Sequence, residues 1–363
     1  VVPGVYTFNN LDSKTPSTSL IEPRTNSLFG NLDYSYHDYL FLTMTARNDW
    51  FSTLPPDHDN LIYPSTDLSF VLSDAFKLPD WVSFAKVRSS AAQVSGDPSP
   101  GQLNLSYELS PTPYNSQQLQ YISSDNIPNK NLKPLLSTDF EIGAEASFLN
   151  NRISIDADYY KRNVKDDIVT TTVPTSTGYS TSIQNIGKLN SKGVEVLLRA
   201  TPVKLKDLSW DVTLNFSIND NRVVALGDGV EKGANIVLAT SKSGNGTIQL
   251  EEGQRYGGIY GFTYQRNDKD QKVYDANGLP IYNTTPTRLG NSEYTHLASM
   301  SNTLNYKNFS FYFMFDGKFG ASIYSETNAS AYSNGKAKAT LIGREDGIIG
   351  DGVDQNGQPN SER

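Results

Sequence analysis

The side chains best placed to do chemistry are charged residues at every second position of four segments: Glu141 and Glu145, then Arg152, Asp156 and Asp158, then Glu195 and Arg199, and finally Asp211. Glu141 and Glu145 resemble an acid/base pair. Glycoside hydrolysis needs two carboxyls roughly 5 to 9.5 Å apart. Residues i and i+4 of one strand stand about 13 Å apart, so the pair does not suit that reaction. The three histidines, His37, His58 and His296, are scattered, and the chain has no Cys, which removes thiolate sites. Asp275-Ala-Asn-Gly278 and Asp354-Gln-Asn-Gly357 resemble pieces of calcium loops. Neither has the full oxygen ladder, and Asn-Gly is a strong turn signal. Gly257-Gly258 to Gly261 lacks the Lys-Ser or Lys-Thr of a phosphate loop. No catalytic residue, metal ligand or cofactor site is assigned, and no enzymatic activity is expected.

The charges are instead the polar half of an alternation. Phe140, Ile142, Ala144, Ala146 and Phe148 are apolar, with Glu141, Gly143, Glu145 and Ser147 between them. After Asn150-Asn151 the pattern resumes, with Ile153, Ile155, Ala157 and Tyr159 set against Arg152, Ser154, Asp156, Asp158 and Tyr160. Val194 to Thr201 and Trp210 to Asn219 repeat it. Period two over nine residues predicts strands. The polar face reads either as a surface that meets substrate (Glu141, Glu145, Arg152, Asp156, Asp158, Arg199, Asp211) or as a hydrated wall with cross-strand ion pairs.

The remaining strands are expected near 28–36, 40–46, 68–72, 84–94 and 298–305, with Phe309, Phe311, Phe313 and Phe315 forming a last one. The strand at 258–264 has no evident partner. Val1 to Thr25, Asn48 to Ser65, Ser95 to Ser137, Lys161 to Tyr179, Gly227 to Glu252, Asp268 to Thr295 and the region after Gly317 read as polar loops. Tyr107, Tyr114 and Tyr121, in the Ser95 to Ser137 loop, are candidate ligand-stacking rings or simple loop-packing tyrosines.

The chain has 363 residues, a formal charge of −8, 37% hydrophobic residues and 21 Tyr. An acidic chain without clustered Lys and Arg argues against nucleic acid as a partner. No run of about 18 apolar residues exists, so a spanning helix is excluded, but a spanning barrel is not. Short turns are expected at 37–38, 79–80, 150–151, 202–207 and 307–308, with long polar connections between them. Outer-membrane barrels show this asymmetry, with strands of about ten residues and aromatic girdles; Phe148, Tyr159, Trp210 and Tyr306 lie near expected strand ends. The expectation is an all-β, antiparallel transmembrane β-barrel of ten to fourteen strands in this chain, with short periplasmic turns and long extracellular loops. The alternative is a secreted β-rich carbohydrate-binding or adhesive protein, which would bury the apolar face in a core.

Several segments resemble successive barrel motifs of TonB-dependent transporters of the SusC/RagA type from Bacteroidetes outer membranes. They are Arg47-Asn-Asp49-Trp-Phe-Ser52, Tyr63-Pro64-Ser65, Phe84-Ala-Lys86-Val-Arg88-Ser-Ser90, Leu132-Lys133-Pro134, Asp158-Tyr159-Tyr160 and, most specifically, Asn185-Ile-Gly187 through Gly193-Val-Glu195. Tyr256 to Gly261, Asp275 to Gly278 and Leu289-Gly290-Asn291 fit later segments. Ser89 to Gly96 departs from the family pattern, which leaves the local register open. The resemblance implies that residues 1–363 are an internal part of a single receptor β-barrel domain of roughly 22 strands, without plug domain or closing strand. It further implies outer-membrane localisation in a lipid bilayer, a SusD-like surface lipoprotein as partner and energy from a TonB complex through the missing plug. The implied cargo is oligosaccharide or peptide.

Overall fold

A computed structural model describes residues 3–4, 20–110, 112–115, 117–122, 124–227, 233 and 235–362. Most of the loop expected at Val1–Thr25 lies outside these. Ten long strands form one antiparallel wall: β1 (Thr25–Tyr36), β2 (Leu40–Phe51), β3 (Asn60–Val71), β4 (Val82–Gly96), β5 (Leu135–Phe148), β6 (Ile153–Thr172), β7 (Thr181–Lys204), β8 (Leu208–Ala225), β13 (His296–Tyr306) and β14 (Phe309–Phe319). Each pairs with the next in that order, so the wall is a meander. The outer edges of β1 and β14 carry no partner strand among the described residues, and the barrel is not closed.

Between β8 and β13 the chain makes a separate four-stranded sheet from β9 (Ile236–Thr240), β10 (Gly246–Leu250), β11 (Gly258–Gly261) and β12 (Thr287–Asn291). This supplies partners for the expected strand at 258–264: Thr247 lies opposite Tyr260, and Gly258 opposite Asn291. A helix, α1 (Glu326–Ser333), follows the wall and is capped by the Ser325 hydroxyl, which accepts from the Asn328 amide.

The connections alternate as the turn signals predict. One end of the wall carries the links at 37–39, 72–81, 149–152, 205–207 and 307–308; the other carries 52–59, 97–134, 173–180 and 226–295. Left-handed φ values at His37, Asp38, Asn150, Asn151 and Lys307 mark the tight turns. Several strands outrun the expected bounds at the long-loop end. β2 and β3 pair through Trp50 and Asn60, β6 continues to Thr172, and β7 is 24 residues long. About ten residues cross a bilayer at a tilt, so β6 to β8 rise well beyond that depth. In these extensions both faces meet water or protein, apolar alternation is no longer required, and the polar sequence reads as loop. The register left open at Ser89–Gly96 is regular, running from Ser89 opposite Ile142 to Gly96 opposite Leu135.

Burial follows the same division. Phe140, Ile142, Leu214, Phe311 and Phe315 are exposed on the outward face. The dry clusters sit in the extensions instead. Ile186, Leu189, Val223, Leu226, Ile236 and Leu250 form one, where β9 and β10 fold over β6 to β8. Phe51, Leu54, Leu132 and Ile183 form the other. From Phe148, stacked on Trp81 at 5.5 Å in the short-turn end, to Phe140 there are eight strand steps. At the usual rise and tilt these span about 20 Å, close to the apolar band of an outer-membrane barrel.

Placing arginine on the two faces at one level is expected to give unequal costs. Leu214→Arg is expected to cost about 2–4 kcal/mol of folding free energy in bilayers, and Asn215→Arg well under half of that. Urea unfolding in liposomes reads the difference; equal costs would mean that the outward face does not meet lipid.

Candidate functional site

On the inward face of β4 to β8 the polar residues form a connected patch. Register places Arg88 opposite Gly143, Gly143 opposite Asp158, and Asp158 opposite Glu195. The Arg88 guanidinium is the hub. Its Nη2 donates to Asp156 Oδ1 at 2.8 Å and to Asp158, and its Nε lies 4.0 Å from Glu141 Oε1. Lys86 pairs with Glu145 at 3.1 Å, and Arg162 with Asp139 at 2.7 Å. Glycine at 143 makes the hub possible, because a Cβ there would overlap the Asp158 carboxylate and the Arg88 side chain. Gly193 gives the same kind of room in the next row up. Tyr160 crosses over it so that its hydroxyl donates to Asn219 Oδ1 at 3.1 Å, and a Cβ would strike that ring.

Beside the hub lies a cavity of about 430 Å³ whose polar lining includes Glu141, Asp158, Tyr160, Arg162, Glu195 and Asn219. Six carboxylates (Asp139, Glu141, Glu145, Asp156, Asp158, Glu195) surround three cations (Lys86, Arg88, Arg162) on this patch. The field is negative, and the tyrosine and amides add neutral hydrogen-bonding groups. Such a surface suits hydroxyl-rich or cationic solutes. Among the described residues no group of three His, Cys, Asp or Glu is set to hold a metal ion.

The sequence-predicted positions separate into four places. Glu141, Asp156 and Asp158 meet at the hub, and Glu145 lies beside it, paired with Lys86. Arg199 shares the inward face lower down, opposite Ser154 and Thr213, and Asp211 accepts from Thr201 Oγ1 at 2.7 Å near the short turns. Arg152 does not join the patch. It closes the 149–152 turn, where left-handed residues break the alternation, and its guanidinium donates to the carbonyls of Thr201 and Pro202 at 3.1 and 2.8 Å. Tyr107 and Tyr121 belong to a small hairpin in the 97–134 connection, where Tyr121 Oη lies 3.4 Å from Glu108, and Tyr114 sits in its tip. Sequence reasoning does not single out Lys86, Arg88 and Arg162 as site residues. A signal is present: Lys86, Arg88 and Ser90 alternate with Ala85, Val87 and Ser89, but small residues on the outward face blur the contrast.

The motif at Asn185 holds the loops above the patch. Its Oδ1 accepts from the Lys133 amide at 3.0 Å, while Nδ2 donates to the carbonyls of Lys133 and Asp166 at 3.0 and 2.7 Å. One side chain thus ties the end of the 97–134 connection to β6 and β7. At the top of β2, Arg47 pairs with the buried Asp49 at 2.8 Å, and the Tyr63 hydroxyl donates to the same carboxylate. Both Asp-x-Asn-Gly segments are turns. Asp275 Oδ1 accepts from the Asn277 and Leu279 amides, each at 2.9 Å, and Asp354 repeats this with Asn356 and Gln358. These backbone bonds hold the Asp275 carboxyl below its usual range.

The description of the TonB dependent receptor-like β-barrel matches residues 3–341. The chain belongs to that family. The receptor barrel is 28% identical over 385 residues to the TonB-dependent receptor SusC of Bacteroides thetaiotaomicron, covering 93% of this chain and 37% of SusC. A TonB-dependent receptor of Formosa agariphila is 26% identical over 359 residues, covering 90% of this chain and 35% of the relative. The chain thus spans well under two thirds of either length. The structure of the RagAB peptide transporter shares the fold, with a TM-score of 0.68 at 20% identity over 85% of this chain and 35% of that one. The SusC/RagA-type resemblance carried by the motifs is matched by these relatives.

Two predictions follow from the loop anchors of the receptor barrel. Asn185→Ala is expected to release the 97–134 connection, so limited proteolysis there accelerates severalfold while the wall strands stay protected. Glu293 is half-buried beyond β12; burial raises its pKa, against the opposing effect of the Asn221 amide, whose Nδ2 donates to it at 3.2 Å, and of Arg255. A raised folded-state pKa means that its contribution is greatest when protonated and is lost as pH rises through that value. Glu293→Gln is therefore expected to make the 226–295 region exchange its amides more slowly at neutral pH and to flatten the pH dependence. Unchanged exchange at both pH values would contradict this.

Proposed function

We propose that this chain forms a section of the wall of an outer-membrane importer that moves oligosaccharides or peptides inward, powered by a TonB complex. The observation that carries this reading is the two-sided wall. Its outward face presents exposed phenylalanine, leucine and isoleucine rows, and its inward face joins Arg88, Glu141, Asp156 and Asp158 in a hydrated ion-pair network. A secreted carbohydrate-binding protein would instead cover Phe140, Leu214 and Phe315 with a second layer. The inward patch would guide cargo by hydrogen bonds and by its negative field, not by covalent chemistry. The long connections at 97–134 and 226–295 lie at the end where a SusD-like lipoprotein would deliver cargo, and Tyr107, Tyr114 and Tyr121 there are exposed. The inward residues proposed to meet cargo are Glu141, Glu145, Asp156, Asp158, Arg199 and Asp211. No enzymatic step is assigned to them.

Cells producing the full-length receptor test this. Uptake of labelled peptide and oligosaccharide mixtures is expected to require both the receptor and TonB. Glu141→Gln with Glu195→Gln should lower the rate severalfold for cationic cargo at an unchanged amount of receptor in the outer membrane. Uptake that persists without TonB, or a receptor recovered in soluble form, would contradict the reading.

A further inference from the structure

Above the apolar band, the outward face of β6 and β7 carries a ladder of like charges. Lys161 lies directly opposite Lys192, Asn163 opposite Asn190, and Lys165 opposite Lys188. The face is fixed by neighbours in the same rows. Asn190 Nδ2 donates to Asn163 Oδ1 at 2.7 Å, whereas the intervening Arg162 and Ser191 turn inward to Asp139 and Asn221. Side chains directly opposite on an antiparallel pair have Cβ atoms about 5 Å apart, and like charges there destabilise the sheet. All four lysines are exposed. None of them joins an ion pair among the described residues. The nearest acid in register, Asp220 opposite Lys192, is already shared by Arg222 at 2.8 Å and Arg255 at 3.3 Å. Toward the loops, Lys165 and Lys188 join Lys133 around a cavity of about 700 Å³ that also holds Asn131, Gln184 and Asp166.

In a chain with 39 acidic and 31 basic residues, two exposed lysine pairs on one face without an ion-pair partner are open to an anion from outside. Their height indicates which one. Tyr159 and Val194, the last apolar pair of these strands, lie two residues below Lys161 and Lys192, about 7 Å of strand. The lysines therefore begin where the hydrocarbon ends. We propose that this ladder binds the phosphate groups of outer-leaflet lipid headgroups. Each lysine pair takes one phosphate, with about 13 Å of strand between the pairs, and the Asn163–Asn190 pair between them keeps its remaining groups, Asn163 Nδ2 and Asn190 Oδ1, for headgroup hydroxyls. Clustered lysines at a membrane surface attract anionic headgroups in this way. The proposal rests on the membrane placement given under the proposed function.

The test uses the full-length receptor in nanodiscs of phosphatidylcholine doped with phosphatidic acid, with co-purifying lipids counted by mass spectrometry. Phosphatidic acid is expected to be enriched around the parent receptor over the bulk mixture. The enrichment should fall about tenfold in a variant carrying Lys161→Gln, Lys165→Gln, Lys188→Gln and Lys192→Gln, and return when the same four are changed to arginine. Equal enrichment in the glutamine variant, or none in the parent, overturns the proposal while leaving the membrane placement intact. So does displacement of the lipid by inorganic phosphate at equal concentration, since the ladder would then be a site for the free anion. A receptor that cannot enter neutral nanodiscs at all overturns the membrane placement, and the lipid site with it.

Discussion

The wall depends on one constraint: within a bilayer no water is available to pair a backbone N–H or C=O, so every one must be met by a neighbouring strand. The unbroken ladder from β1 to β14 satisfies this for the strands between its edges. Once the backbone is committed to that ladder, side chains have only two directions, and each strand must divide its residues between them. Phe140, Ile155, Leu198, Leu214 and Phe315 take one side, which lipid covers in the proposed placement, and the charged residues take the other. In that placement the wall needs no conventional core at this depth, because both faces are occupied by something other than protein. Among the described residues the dry clusters form in the extensions, one where β9 and β10 supply a second layer over β6 to β8 and one where Leu54 and Leu132 of the connections close over Phe51 and Ile183.

The inward face must keep its charges compatible with each other in a confined volume. Arg88 does this for Glu141, Asp156 and Asp158, which would otherwise stand on adjoining strands with like charge. Breaking such a hub leaves carboxylates uncompensated, which is costlier than never having placed them. Glycine at 143 and 193 provides the room in which long side chains cross from strand to strand. The Gly193-Val-Glu195 motif thus has a packing reason and the Asn185 motif a loop-anchoring one. Neither needs a direct role in cargo chemistry.

The legibility of the chain follows how strictly that constraint acts. Thr138 to Asn219 is readable because an apolar face on one side and a polar face on the other sort its residues cleanly. The tops of β2, β3 and β6 are not, since Asn48 to Asn60 and Lys161 to Thr172 stand where polar residues suit both faces and their sequences look like loops. The sheet made by β9 to β12 escapes sequence reading for the same reason, except Gly258 to Gly261. Arg88 is hidden by Ala85, Ala91 and Ser89 on the opposite face. Parity assigns Arg152 to the inward face, but parity lapses in the left-handed turn from Leu149 to Asn151. Alternation tells which side a residue faces and is silent on its height along the strand, which is why a turn residue and an ion-pair hub look alike.

The partition of the two faces is directly measurable: these 363 residues hold no cysteine, and any cysteine elsewhere in the full-length receptor can first be changed to serine. Single cysteines introduced one at a time from Phe140 to Ser147 and from Val212 to Asn219 in the full-length receptor can carry a spin label. Its collision rates with oxygen and with a water-soluble nickel chelate in bilayers then report its surroundings. A strict period of two is expected, oxygen-accessible at Phe140, Ile142, Leu214 and Phe216 and chelate-accessible at Glu141, Glu145, Thr213 and Asn215. A profile without that period, or one in which both sets meet the chelate equally, would contradict it.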